Sequence, residues 1–465
     1  MGLQRNSALG QVLIVSFVCF CCPGLFNALT SFSAGMQDVT VAYNGNSVLY
    51  GCFAVSGLLS GGLVNYIGPR RTLFIGTWGY VLYAGSLLYL KHHNYEATDS
   101  TGATVVKYNG GASAFFMIAC AILGLCAGLL WTAQGQMCMA YPTKASKGLY
   151  FSIFWVIFNL GATMGGFISF GTNYSDASGG TSTGTYIAFL ILMACGAFIS
   201  MFLTDPEKVV RNDGTMVKVE ALPDWKVEIV EVFKQFASPK MLLLLPLFAY
   251  SNWFYTYHSL YNSTLFNTRS TGFSSGFYWG SQMLGAFLAG LYLDAGGATK
   301  RKKAQVALVI LFVLVNIMWV LGTVAQVEYD ISYTSTEEKV DFKDSGKFTP
   351  RFLLYMYYGF NDAICQLIAY WIMGQMSDDI HELGHYAGFY KAVQSAMSAV
   401  SWKIGAESVD PLTQLIICWV LAVVGIILAY FTVSKYVPDT LVGSEDVDEA
   451  QKETEYHALN AQEKA

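Results

Sequence analysis

The chain has 465 residues, 54% of them hydrophobic, 15% aromatic and 13% charged, with a net charge of −5 and a mean hydropathy of +0.41. A soluble domain carries about 25% charged residues, so this deficit excludes an ordinary soluble fold and indicates a polytopic helical membrane protein. The negative balance excludes nucleic acid as a partner.

The first apolar run follows Arg5 and continues through Pro23 into GLFNALTSFSAG. It is long enough to span and lacks a small-residue cleavage site, so it reads as a first transmembrane helix and not a signal peptide. Asn6 stands where a myristoylation pattern after Gly2 needs Ser or Thr. Taking about 20 apolar residues per crossing gives twelve spans. They fall at 9–33, 46–67, 72–91, 113–139, 149–171, 184–204, 240–261, 273–294, 304–326, 351–376, 386–405 and 411–434. All ten cysteines fall inside these apolar segments, where they read as small buried hydrophobes. No cofactor or metal motif is assigned.

One set of short loops collects Arg70, Arg71, Lys144, Lys147 and the run Lys300-Arg301-Lys302-Lys303; the opposite set holds little beyond Lys91, Lys107 and Arg269. By the positive-inside rule both termini are cytoplasmic. The sequons at Asn173 and Asn262 then lie outside, as glycosylation candidates. Between spans six and seven, PDWKVEIVEVFKQFA places Trp225, Ile229, Phe233 and Phe236 on one helical face, which predicts an amphipathic helix at the cytoplasmic membrane surface. The domain reading is a six-helix half over 1–204, a linker over 205–239, a second half over 240–434 and a disordered acidic tail over 435–465.

The halves echo one another. GGLVNYIGPRR, with Gly61, Asn65, Gly68, Arg70 and Arg71, has a counterpart in GLYLDAGGATKRKK, with Gly290 and Asp294. Trp131, Gly135 and Gln136 match Trp371, Gly374 and Gln375, and Gly148-Leu-Tyr150 matches Gly388-Phe-Tyr390. Such ordered matches are the signature of an internal repeat. Twelve helices in two halves, with this loop after the second, resemble the major facilitator superfamily. GLFNALTSFSAG, GLYFSIFWVIFNLGA and YAGFYKAVQSA are similar to the fungal Uncoordinated-93-like family. The resemblance implies two related six-helix halves that rock about a midplane site, and gating roles for Gly61, Asn65, Gly68, Arg70, Arg71 and Asp294. Where the superfamily's usual acid stands, this chain has Asn65, which weakens a gating salt bridge there. The family resemblance also implies a second role, regulating channels or escorting receptors.

His381-Glu382-Leu383-Gly384-His385 fits the H-E-x-x-H zinc-hydrolase pattern. The repeat aligns it with YPTKASKG, a loop with no metal ligand, and Gly384 weakens the helix that the pattern needs. The segment therefore reads as a polar loop leading into span eleven. Ionisable groups inside spans are costly and mark function. Here they are Asp362 and Lys391, joined as pathway candidates by Asn27, Trp131, Gln134, Gln136, Asn159, Gln366 and Gln394. Lys391 sits about 9 Å into its predicted span, where it either lines the pathway or snorkels to the interface. The aromatic SNWFYTYHSLY of span seven either lines a pocket or forms an interfacial belt; the belt is the favoured reading, and His258 goes with it. The leading expectation is a secondary transporter of a small molecule or ion, not an enzyme. A scaffold partnered with another membrane protein is the alternative, and a zinc peptidase a remote one.

Overall fold

The structure, a computed structural model, describes residues 4–33, 39–98, 104–174, 183–217, 225–335 and 337–442. Residues 443–465, most of the expected acidic tail, lie outside it.

Helix α1 (Ala8–Cys19) passes through a π turn at Phe20–Gly24 into α2 (Leu25–Ser33), forming one broken crossing. Pro23 has no amide to continue the helical ladder, which accounts for the widened turn. Then follow α3 (Val39–Ile67), α4 (Pro69–His92), α5 (Gly110–Ala140), α6 (Lys147–Thr172) and α7 (Thr183–Ser200). Between α4 and α5 the chain forms an antiparallel hairpin, β1 (Asn94–Thr98) with β2 (Thr104–Tyr108), which no sequence pattern had indicated. The linker helix α8 (Trp225–Lys234) precedes the second half: α9 (Pro239–Trp253) and α10 (Tyr255–Leu265), which make one crossing, α11 (Thr268–Asp294), α12 (Lys300–Glu328), α13 (Ser345–Gln375), α14 (Ile380–Ala406) and α15 (Pro411–Tyr436).

Eight of the described helices are long and apolar enough to cross a bilayer, and a ninth crossing comes from Pro239–Leu265 together with the segment before it. The other three of the twelve, α11, α13 and α14, are more polar because they carry the amides and charges of the interior. Exposed stripes such as Val309, Val313, Ile317, Val320 and Val324 on α12 are the mark of a lipid-facing surface.

The two halves meet along α3 against α14 and α6 against α11. Glycines set this approach. A Cβ on Gly166 would lie 2.4 Å from the Gly276 nitrogen, and one on Gly388 2.8 Å from the Gly57 carbonyl. The repeat is visible as exchanged contacts. Gly148 packs against the Gly290 carbonyl as Gly388 packs against Gly57 and Gly61. Gln375 donates to the Lys144 carbonyl at 3.1 Å as Gln136 donates to that of Ile380 at 3.0 Å.

Candidate functional site

A central cavity of roughly 540 Å³, its open mouth included, lies between the halves. Asn27 and Pro23 reach it from the broken first crossing, Tyr50 from α3, Trp131 from α5, Trp155 from α6, Tyr255 from α10, Gln366 from α13, and Lys391 and Gln394 from α14. A second cavity shares Phe26, Asn27, Tyr50 and Tyr255 with it and continues away from the end that carries Arg70 and Arg71, here called the basic end.

Asp362 and Lys391 are both almost completely buried and do not touch. Two amides join them. The Asp362 carboxylate accepts from Tyr255 Oη at 2.7 Å, Gln282 Nε2 at 2.8 Å and Gln366 Nε2 at 2.7 Å. Gln366 Oε1 accepts from Gln394 Nε2 at 3.1 Å, and Gln394 Oε1 accepts from Lys391 Nζ at 2.8 Å. The ammonium also lies over the rings of Trp131 (4.5 Å), Tyr390 (5.0 Å) and Tyr370 (5.4 Å). Because α14 starts at Ile380, Lys391 is about 16 Å from its end, not 9 Å. No snorkel reaches that far, so the interfacial reading of Lys391 falls.

Other expectations are relocated. Gln134 is buried and donates to Cys138 Sγ at 3.3 Å, and Asn159 donates to the Trp155 carbonyl at 2.9 Å. Both bonds stay within the residue's own helix, and neither side chain lines the cavity. Gln136 lies at the basic end, where it donates to Asn65 Oδ1 at 2.7 Å. His258 is no belt residue. It is buried, stacks on Tyr358 at 4.3 Å between centroids, and holds Tyr278 Oη at 3.2 Å. Tyr255 takes the pocket-lining alternative open to the span-seven aromatics, while Tyr50, Trp155 and Gln282 carry no sequence expectation. Only the lone amide in GSQML around Gln282 offered a signal, whereas aromatic residues on a helix read equally well as core, belt or lining.

The basic end is closed by a network between the halves. Asn65 Nδ2 donates to Glu228 Oε2 at 3.0 Å and to the His381 carbonyl at 3.2 Å, and His385 Nε2 lies 2.8 Å from the same Glu228 oxygen. The acid missing at Asn65 is thus supplied by the linker helix. Burial pushes the Glu228 carboxyl up, but the hydrogen bonds from His385 and Asn65, with the neighbouring histidine charges, outweigh it and hold it below the usual range. Glu228 shares the inward face of α8 with Val232, while Phe233 and Phe236 stay half exposed. The side chains of Trp225 and Ile229, also expected on the apolar face, are outside the described set. In the second half Asp294 accepts the amides of Gly148 and Leu149 at 2.8 and 2.6 Å, an acid at the start of α6. Lys144 pairs with Asp378, and Lys147 donates to the Gly374 carbonyl. Gly61 fits against the Gly384 carbonyl, Gly68 turns the chain into α4 at φ +84°, and Arg70 and Arg71 border a surface groove with Asp205 and Glu207.

HELGH is helical, not a loop. Asp379 caps α14 by accepting the His381 and Glu382 amides, which offsets the cost of Gly384. Glu382 is taken by Lys240 at 2.9 Å and by Tyr386, and His385 by Glu228, whereas both ring nitrogens of His381 are buried without a hydrogen-bond partner among the described residues. Neither sequon presents a free amide. Asn262 is buried in α10 and donates to Ser275 Oγ at 3.0 Å, and Asn173 donates to the Ser169 carbonyl at 2.9 Å.

A twelve-helix bundle of two repeats around a central polar cavity is a membrane protein of the major facilitator fold. The solved structures it resembles agree. The human organic anion transporter MFSD10 matches with TM-score 0.62 at 12% identity over 91% of this chain and 98% of that one. The proton:xylose symporter XylE matches with TM-score 0.61 at 14% identity over 95% and 99%. The family profile described as ion channel regulatory protein UNC-93 matches residues 36–431, and the chain belongs to that family. UNC93-like protein 1 of Arabidopsis thaliana is 41% identical over 92% of this chain and 91% of its own length. A UNC93-like protein of Schizosaccharomyces pombe is 36% identical over 96% and 86%. Family and fold resemble transporters and regulatory membrane proteins rather than enzymes.

Proposed function

We propose that the protein is a secondary transporter that moves a small solute by alternating access. The observation that carries this reading is the hydrogen-bonded chain Asp362–Gln366–Gln394–Lys391 beside a cavity between two pseudo-symmetric halves. A carboxylate buried at mid-depth is retained against a large desolvation cost, and a proton or cation that comes and goes there couples readily to motion of the halves. In this reading the halves span 1–204 and 240–434, joined by the linker 205–239 and followed by the tail 435–465. The basic end faces the cytoplasm, following the positive-inside rule, with both termini on that side. The described conformation is then closed inward, with its cavity leading outward. The linker helix runs at 75° to Pro239–Leu265, in keeping with a place along the membrane surface. The plasma membrane and a vacuolar or endosomal membrane suit the protein equally. Reconstituted Asp362→Asn should fold yet lose flux driven by a pH gradient; flux equal to wild type would overturn the coupling role.

The second reading, a regulator or escort of another membrane protein, rests on the description of the UNC-93 family itself. Crosslinking in native membranes discriminates: a stoichiometric partner, with no flux for any tested solute, favours it.

A further inference from the structure

We propose that the central cavity is a site for an organic anion, a carboxylate carried on a flat apolar body, with Lys391 as its counter-charge. The inference rests on the transporter reading and names its substrate class. Among the described residues no Asp or Glu lines either cavity, and Lys391 is the one Lys or Arg that does. An ammonium has three N–H donors, and the structure gives this one a single acceptor, Gln394 Oε1. The remaining charge is met by ring faces. Such a buried cation without an anionic partner favours an anion that can take its free donors.

Asp362 does not compete for that role. Tyr255, Gln282 and Gln366 all donate to it, and it lies behind Tyr255 and Gln366, outside the cavity lining. The two charges therefore divide the work: Lys391 meets the ligand, while Asp362, linked through the two amides, responds to it. The walls define the rest of the ligand. Trp131, Trp155, Phe158 and Tyr50 offer flat apolar surface, and Asn27 and Asn252 add neutral polar groups.

The test uses the purified full chain and three probes of matched arm length: naphthalene-1-acetate, its primary amide and 2-(1-naphthyl)ethylamine. The acid should raise the thermal midpoint, with the amide binding about tenfold more weakly and the amine giving no shift. Lys391→Met should remove the preference for acid over amide, Lys391→Arg should keep it, and Asp362→Asn should still bind the acid. Equal binding of acid and amide to the wild type, or an unchanged preference in Lys391→Met, overturns the proposal. If Lys391→Met proves unstable, the wild-type series and Lys391→Arg decide. Laurate binding in place of the aromatic acid overturns the flat body and points to an acyl chain. Acid that binds but never enters proteoliposomes leaves the anion site standing and removes the transport reading. A neutral solute whose flux is lost in Asp362→Asn, without any preference for anions, does the reverse.

Discussion

Asn65 and Glu228 show how one side chain acquires meaning from another 163 positions away. A neutral amide where the superfamily has an acid reads as a weakened gate. In the folded protein it is the donor that fixes a carboxylate from the linker. Glu228 is held below the usual carboxylate range by His385 and Asn65, so its contribution to closure is fully present above the free-carboxylate pKa of about 4.3. That contribution is lost as pH falls through the depressed value. Hydrogen exchange at the end of α5 and the start of α14 should therefore rise below about pH 4. Glu228→Gln should raise exchange there at neutral pH and remove its acid dependence; protection equal to wild type would show that the contact does not hold the gate. Asp294 is a simpler case. It accepts two backbone amides at the start of α6. Asp294→Ala should cost about 0.5–2 kcal/mol in denaturant unfolding, since it removes the acceptor of two first-turn amides.

The helices were legible as elements because apolar length decides a crossing whatever the partner. Their ends were less so. Hydropathy places span eleven from 386, but Asp379 caps the helix at Ile380, and this shift of six residues sets Lys391 about 16 Å from the helix start and removes its snorkelling alternative. Cap geometry depends on one side chain turning back on the backbone, which hydropathy does not register. Helix approach is set by glycines whose role is equally hidden. A Cβ on Gly290 would lie 1.8 Å from Ser152 Oγ and 2.5 Å from the Gly148 carbonyl, whereas one on Gly51 would meet nothing within 4 Å. Gly290→Ala should thus destabilise the bundle by about 1–3 kcal/mol, while Gly51→Ala stays near neutral or gains slightly from helix propensity. Thermal unfolding of the two variants side by side checks this; equal midpoints would deny α6 and α11 their close fit.

At the scale of the whole molecule, the proposed transport cycle makes the closed basic end and the cavity beyond it one of two alternating states. Lys144 pairs with Asp378 across the halves. Lys144→Cys with Asp378→Cys, joined by a short thiol crosslinker, should arrest flux, and each single variant treated alike should keep it. Full activity in the crosslinked double variant would mean that the halves do not separate there. Twelve crossings, two repeated halves and the two intramembrane charges followed from the sequence alone, because desolvation in lipid dictates apolar length and makes every buried charge conspicuous. The path from Asp362 to Lys391 through two glutamines, the acid lent by α8 to Asn65, and the engagement of HELGH by Lys240 and Glu228 came only from the tertiary structure. Each is a contact between segments distant in the chain, and a hydrogen bond has a range of about 3 Å. Composition and periodicity record which groups must be satisfied; only the packing of helices decides which partner satisfies them.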